Sequence, residues 1–348
     1  MSDHPREARR HMEELEELNI CNDIWLDTLV LIGRDEVATK FALINARFSA
    51  IVDIHLRHRK WTLGTLFIQR ARSGTGAEIA QQNDGTSSNF LPVANSPLPP
   101  HVIGFDAIHV CYIDREVLTF LRHIRRLISS NISLQFTIRA TEQRCWNIMA
   151  QEIWPLMSHG ISALMDMRKS DFVLLHKYIS PNVLADCVNL RRIFSHYLPI
   201  APLNTLNDLR PGQDQYTWLQ TPRPDGLPKL LSFYRWRKGW PLLTEQLKKN
   251  FFSANSTPVN FLIYSCVTNG RILAFNVVNE RTQERLAQTA RAGFALFWHI
   301  RRFNVVLWRC PVQFEFNPSR VSAWEVEANE MKNFVYFTLR DADIGPLL

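Results

Sequence analysis

The residues of this chain best able to do chemistry are six cysteines and eleven histidines, and their spacing limits what that chemistry can be. Cysteines at 21, 111, 145, 187, 266 and 310 form no CxxC pair and no cluster with zinc-ligand spacing. They read as reduced, mostly buried thiols. Cys145 stands beside Trp146 on a helical stretch and Cys310 precedes Pro311, and neither has a histidine close in sequence to draw off its proton. His55 and His58, three apart, would be half a metal site, but no further ligands are near and a helix surface is the better reading. His123 sits amid arginines. No GxxxxGK[ST], HExxH, GxSxG or GxGxxG is present. RSGTGAEI (72–79) has two glycines but no Lys-Ser/Thr, so it reads as a loop rather than a phosphate cradle. Asp341 and Asp343 read as solvated loop carboxylates. No catalytic residue, metal or cofactor is expected.

Arginines mixed with rings are the other chemical feature. FYRWRKGW (233–240), RHIRRL (122–127) and WHIRRF (298–303) could stack bases or bind phosphate. They could equally be arginine stems lying over core aromatics, and guanidinium forks also suit an acidic or phosphorylated peptide. The whole chain, with 40 Lys plus Arg against 33 Asp plus Glu, carries +7, which permits an acidic partner without requiring nucleic acid. Apolar residues at 46%, with 21 Phe and 10 Trp, supply a sizeable core and argue against disorder. The first residues, MSDHPREARRHMEELEELN, have no apolar h-region, no run approaches 18 apolar residues, and DIGPLL is neither a prenylation nor a retention signal. With reduced cysteines, these features predict a cytoplasmic and/or nuclear protein, neither secreted nor membrane-bound.

Periodicity predicts the elements that position these residues. Residues 1–16 read as a charged leader and 17–58 as a helical module. Ile24, Trp25, Thr28, Leu29 and Ile32 share one helical stripe; Val37, Phe41, Ile44, Phe48 and Ile51, spaced four, three, four, three, form a second. Asn22 or Asp23 and then Asp35 can cap the two starts, and Gly33 suits the end of the first helix. Residues 59–103 read as a strand at 61–69 followed by a Gly/Ser/Pro-rich loop with at most one short edge strand. From 104 a rhythm begins. Strands at 105–113, 133–139, 161–167 and 189–195 start 28 residues apart, with helical stretches at 115–130, 142–159 and 180–188. Strand and helix at a fixed step predict an α/β fold, a βα solenoid whose parallel sheet curves. CVNLRRI (187–193) resembles the segment leading into a leucine-rich-repeat strand, but no Asn or Cys ladder recurs, so the solenoid is expected to be irregular. Strands at 229–236 and 259–266 continue it, with turns forced by TPRPDGLP (221–228). A hairpin around Asn279–Gln283, strands at 303–311 and 333–340, and a short helix WEVEANEMK (324–332) predict a β-rich cap from about 270 to close the domain at 348.

Residues 20–52, ICNDIWLDTLVLIGRDEVATKFALINARFSAIV, resemble an F-box. Ile24, Trp25, Leu29 and Ile32 match its first helix, and Arg34, Asp35 and Val37 its turn. Ile44, Asn45, Ala46, Arg47 and Phe48 match its hydrophobic–x–x–Arg–aromatic signature; Ile20–Cys21 stands where the family has Leu-Pro. NDIWL, ALINARF, RKW-x-LG (59–64), VIGFDAI (102–108), IWPL (153–156), NLRRI and PRPDGLPK (222–229) together resemble a large nematode family of F-box-type proteins, from about 20 to 310. The resemblance implies the substrate-recognition subunit of a Skp–cullin–F-box ubiquitin ligase, itself non-catalytic. It implies that Ile24, Trp25, Leu29, Ile32, Val37, Phe41, Ile44, Arg47 and Phe48 dock on the Skp-type adaptor, and through it on cullin. A module of ~40 residues cannot bury its whole apolar stripe internally, so some of Leu29, Val37, Phe41, Ile44 and Phe48 should stay available. The βα domain would hold an unknown target, with His109, Cys111, Arg235 and Arg237 as candidate contacts. Two other readings stay open: an adaptor-binding scaffold without a ligase role, and a nucleic-acid-binding protein using the arginine–aromatic surfaces.

Overall fold

The computed structural model describes residues 20–32, 37, 40–58, 60–82, 88–93, 100–196, 211–233, 240–253, 258–267, 273–292, 303–312 and 333–345. The leader, Gly33–Arg34–Asp35, the helix expected at 324–332, and Arg235 and Arg237 lie outside these residues. The chain divides into two compact units, Met1–Trp61 with Pro99–Ile103, and Thr62–Leu98 with Gly104–Leu348.

The first unit contains α1 (Asn22–Leu29), a 3-10 turn (Phe41–Leu43) and α2 (Ala46–His58). The second stripe is therefore broken rather than one continuous helix. Asn45 causes the break: its side-chain Oδ1 accepts the Phe48 N–H at 3.0 Å, an N-cap that starts α2 at Ala46. Arg47 then reaches back to the start of α1, donating to Ile20 O at 2.5 Å and to Asn22 Oδ1 at 3.0 and 3.1 Å. Leu29, Val37, Ile51 and Val52 form the core, with Trp25, Leu26, Ile32, Phe41, Ala42 and Leu56 half-buried around it. Trp25 meets Phe48 edge-on, centroids 4.9 Å apart.

A separate two-stranded sheet pairs β1 (Trp61–Thr62) with β5 (Val102–Gly104). The second unit is built on a large, mostly parallel sheet. Its strands are β2 (Thr65–Arg70), β3 (Ala77–Gln82), β4 (Ser88–Pro92), β6 (Ala107–Val110), β7 (Ile132–Ile138), β8 (Ile161–Met167) and β9 (Arg192–Ser195), then β10 (Lys229–Phe233), β11 (Phe261–Val267), β12 (Phe275–Asn279), β13 (Glu284–Ala292), β14 (Phe303–Pro311) and β15 (Phe334–Leu339). Across the sheet they run β12-β13-β14-β11-β10-β9-β8-β7-β15-β6-β2-β3-β4. The pairs from β11 to β2 are parallel. Antiparallel ribbons close both ends. Three features differ from the sequence reading. The strand expected at 61–69 is split at Leu63–Gly64 into β1 and β2, which lie in different sheets. Residues 72–101 hold two strands, β3 and β4, not a loop with one. And β15 does not belong with the cap strands but inserts between β6 and β7, with Val335, Phe337 and Leu339 buried.

Between the strands lie α3 (Arg115–His123), α4 (Arg125–Ile128), α5 (Gln143–Ile148), a π-helical turn (Met149–Ile153), α6 (Trp154–Met157), α7 (Lys169–Tyr178), α8 (Val183–Asp186), α9 (Pro211–Gln220) and α10 (Trp240–Ser253). Asp114 caps α3 by accepting the Val117 N–H at 2.9 Å. The stretches at 115–130 and 142–159 are helical as read; α7, α9 and α10 were not foreseen. Asp341 and Asp343, half-buried in a 3-10 turn, are hydrogen-bonded: Asp341 accepts the Cys145 N–H at 2.9 Å, capping α5 from a distant part of the chain, and Asp343 accepts the Arg340 N–H at 2.9 Å. No described helix is long and apolar enough to cross a membrane.

Strand order decides which face is covered. From β7 to β11 consecutive strands step the same way across the sheet, and right-handed crossovers then place every connecting helix on one side. That side carries Leu66, Ile108, Val335, Leu134, Leu164 and Ile193, all buried. Each such side chain stabilises by about 1.5–3 kcal/mol. The opposite side is where the candidate contacts fall, and over β10, β11, β13 and β14 that side too is buried, by Leu230, Leu262, Ala287, Val306, Trp308 and Cys310.

Candidate functional sites: an aromatic row on the open sheet face and an apolar helical surface

Strand alternation puts Phe67, His109 and Tyr336, which are neighbours in register, on the face opposite the helices. All three are half-buried. Their rings stack across the strands: Phe67–His109 centroids are 4.4 Å apart at 10°, and His109–Tyr336 4.4 Å at 6°. The spacing is close to that of the strands themselves, about 4.7–4.9 Å. Phe334 extends the row, stacked on Tyr336 at 5.6 Å. Burial pushes the His109 pKa down, which favours the neutral imidazole between the two rings. Cys111 shares this face, its thiol pushed up by burial and by the nearby Asp343 charge. Because the rings face one another, the row offers their edges outward, whereas base stacking needs a free ring face.

The row continues in polar groups. Gln135, opposite Tyr336 in β7, donates from Nε2 to Asp166 Oδ2 at 3.3 Å, and His196 Nε2 lies 2.5 Å from Asp166 Oδ1. Asp166 has φ +58°, where the register between β8 and β9 slips. This left-handed residue re-aims a carboxylate at its neighbours' side chains. Sequence reasoning singled out His109 and Cys111. It missed Phe67, Tyr336 and Asp166, whose meeting depends on strand order rather than on local pattern.

In the helical unit the implied docking residues separate into three groups. Leu29 and Val37 are 0% exposed and form the core, so they present no surface. Trp25, Ile32, Phe41 and Phe48 are half-buried. Ile24 (58%) and Ile44 (56%) are exposed, and so is Arg47, whose side chain closes the unit on itself. Leu31 (88%), Leu43 (81%) and Val30 (49%) are also exposed, and lie off the two stripes. His55, read as a surface residue, is buried; the His58 side chain lies outside the described set.

Three of the thiols, Cys145, Cys187 and Cys310, are buried. Burial first, and then the hydrogen bond with Asp341, pushes the Cys145 thiol up to about 12; burial pushes Cys187 to about 12 and Cys310 to about 11. Among the described residues no three His, Cys, Asp or Glu side chains are grouped to hold a metal. The chain matches no family model, no curated protein and no solved structure.

Proposed function

We propose that the helical unit docks on a Skp-type adaptor of a cullin–RING ubiquitin ligase, and that the open sheet face holds the target protein. The supporting observation is the exposed apolar set, Ile24, Val30, Leu31, Leu43 and Ile44, on a unit whose own core is already filled by Leu29, Val37, Ile51 and Val52. Several exposed apolar residues within one small unit support a docking role, and they fall inside the stretch 20–52 that resembles an F-box. The finer fold goes with this reading: an F-box followed by an irregular, leucine-rich-repeat-like solenoid, supported by the sequential order β7 to β11 with helices on one side. The chain itself is non-catalytic here. Other subunits transfer ubiquitin, and this one contributes proximity.

Co-purification with the adaptor tests the proposal. The intact chain is expected to retain it, and a Leu31→Asp, Leu43→Asp variant to lose it at least tenfold. Both positions are exposed, so the variant should keep its thermal unfolding midpoint. A folded wild-type chain that captures no adaptor would sink the reading. Ubiquitylation of a bound target separates a ligase receptor from a scaffold.

A further inference from the structure

The loop PRPDGLPK (222–229), one of the stretches that carried the family resemblance, has no part in either surface above. It turns tightly. Arg223 forks onto the Asp225 carboxylate through Nε and Nη2, Gly226 N donates to Arg223 O at 3.1 Å, and Leu227 N donates to Asp225 Oδ1 at 3.1 Å. Gly226, at φ +69°, permits the turn. The chain then enters β10 at Lys229. Together with α8 and α9 the loop walls a cavity of about 270 Å³, whose apolar lining includes Leu184, Val188, Leu190 and Trp218.

Lys229 lines this cavity and is 6% exposed. Its Nζ donates to Trp218 O at 2.5 Å, near the end of α9, and lies 5.0 Å from the Trp218 ring centroid. Both partners are neutral. Of the nearby carboxylates, Asp225 is paired with Arg223, and Asp214, in the same cavity wall, lies 2.9 Å from His176 Nε2. Arg223 also lines the cavity, and its Nη1 is buried without a partner. A desolvated ammonium that donates to a neutral carbonyl, beside a guanidinium with one unpartnered buried nitrogen, is an arrangement that a ligand anion completes.

We propose that this cavity binds a carboxylate carried next to an apolar group, with Lys229 and Arg223 holding the carboxylate and the leucine, valine and tryptophan walls holding the apolar part. The volume sits just below the usual range for ligand sites, about 300–1,000 Å³, which suits one side chain rather than an extended molecule. Asp214 in the wall opposes a second negative charge, which favours a carboxylate over a phosphate. The end of a polypeptide and a free aliphatic acid share this chemistry. The inference stands on the second unit alone and holds whether or not the helical unit binds an adaptor.

Saturation-transfer NMR on the full chain tests it, with N-acetyl-leucine, N-acetyl-leucinamide and isocaproate as probes. N-acetyl-leucine is expected to bind with an affinity of about 1 mM, in line with so small a ligand, and the neutral amide at least tenfold more weakly. Lys229→Met should abolish the difference between acid and amide. Val188→Glu, at an exposed rim position (66%), should weaken the acid without disturbing the fold, and it decides the matter if the first variant does not fold. Tighter binding of N-acetyl-leucine than of isocaproate assigns the site to a polypeptide end, and the reverse to a free acid. The proposal is overturned if the acid gives no saturation transfer, if acid and amide bind alike, or if folded variants bind the acid as the wild type does.

Discussion

Two buried cations in the second unit are treated in opposite ways. Arg309 forks onto Glu284 at 2.9 and 2.5 Å, both side chains at most 3% exposed, and Glu284 also accepts the Val259 N–H. That charge is paired and hydrogen-bonded. Lys229 has no such anion, and burial, followed by the Arg223 charge, brings its pKa from 10.5 to about 8. Below pH 8 the folded and unfolded chains both carry the proton, and the full penalty of burying it is present, up to roughly 3 kcal/mol. As pH rises from 8 towards 10.5 the folded state sheds its proton while the unfolded state keeps it, and the penalty fades. Lys229→Met should therefore be more stable than wild type at pH 7, with the gap narrowing by pH 10, as read by urea unfolding at both. A gap that widens with pH would mean that the ammonium is stabilised where it sits. A side chain that weakens the fold at neutral pH is a stability–function trade-off, in keeping with a ligand site.

At the scale of elements, packing of main chain on main chain sets the tightest constraint. A Cβ built on Gly160, which ends the turn after α6, would lie 2.3 Å from Ile128 O, 2.6 Å from Ser129 C and 2.8 Å from Ser130 N. No side chain can swing away to relieve this. Gly160→Ala is expected to lose about 1–3 kcal/mol, at the upper end of that range for overpacking; an unchanged unfolding midpoint would show that the segment after α4 can retreat. Much at this scale was legible in the sequence. β8 at 161–167 and β14 at 303–311 have the limits their apolar runs suggest, and the hairpin turn falls at 280–283 as Asn279–Gln283 implied. What was missed has physical causes. β3, AEIAQQ, is half polar, so composition hid it. Asn45 ended one apolar stripe and began another, and a four-three spacing runs through such a break unmarked. α7 buries Phe172, Leu174 and Leu175 beside an exposed Val173, a short stripe with little amphipathic contrast.

For the whole molecule, the decisive feature is the place of β15. No local pattern specifies it, because pairing between Tyr336 and both His109 and Gln135 spans some two hundred residues of chain. The aromatic row was illegible for the same reason: His109 could be named, but its partners could not. Without β15, β6 and β7 would each present an unpaired edge in the middle of the sheet. A chain ended at residue 332 is expected to be insoluble, or to lack hydrogen-exchange protection in β6 and β7; protection equal to wild type would mean that those strands close on each other. There is also a consequence for synthesis. A ribosome delivers β6 and β7 long before β15, so the growing polypeptide must hold a gap open at its centre until residue 339 has emerged. The pairing of β6, β15 and β7 is thus completed only after residue 339 has been made, whereas the helical unit, whose residues end at Ile103, is free to fold earlier. In the cell, the interval between those two events is when general chaperones have most to do for this protein.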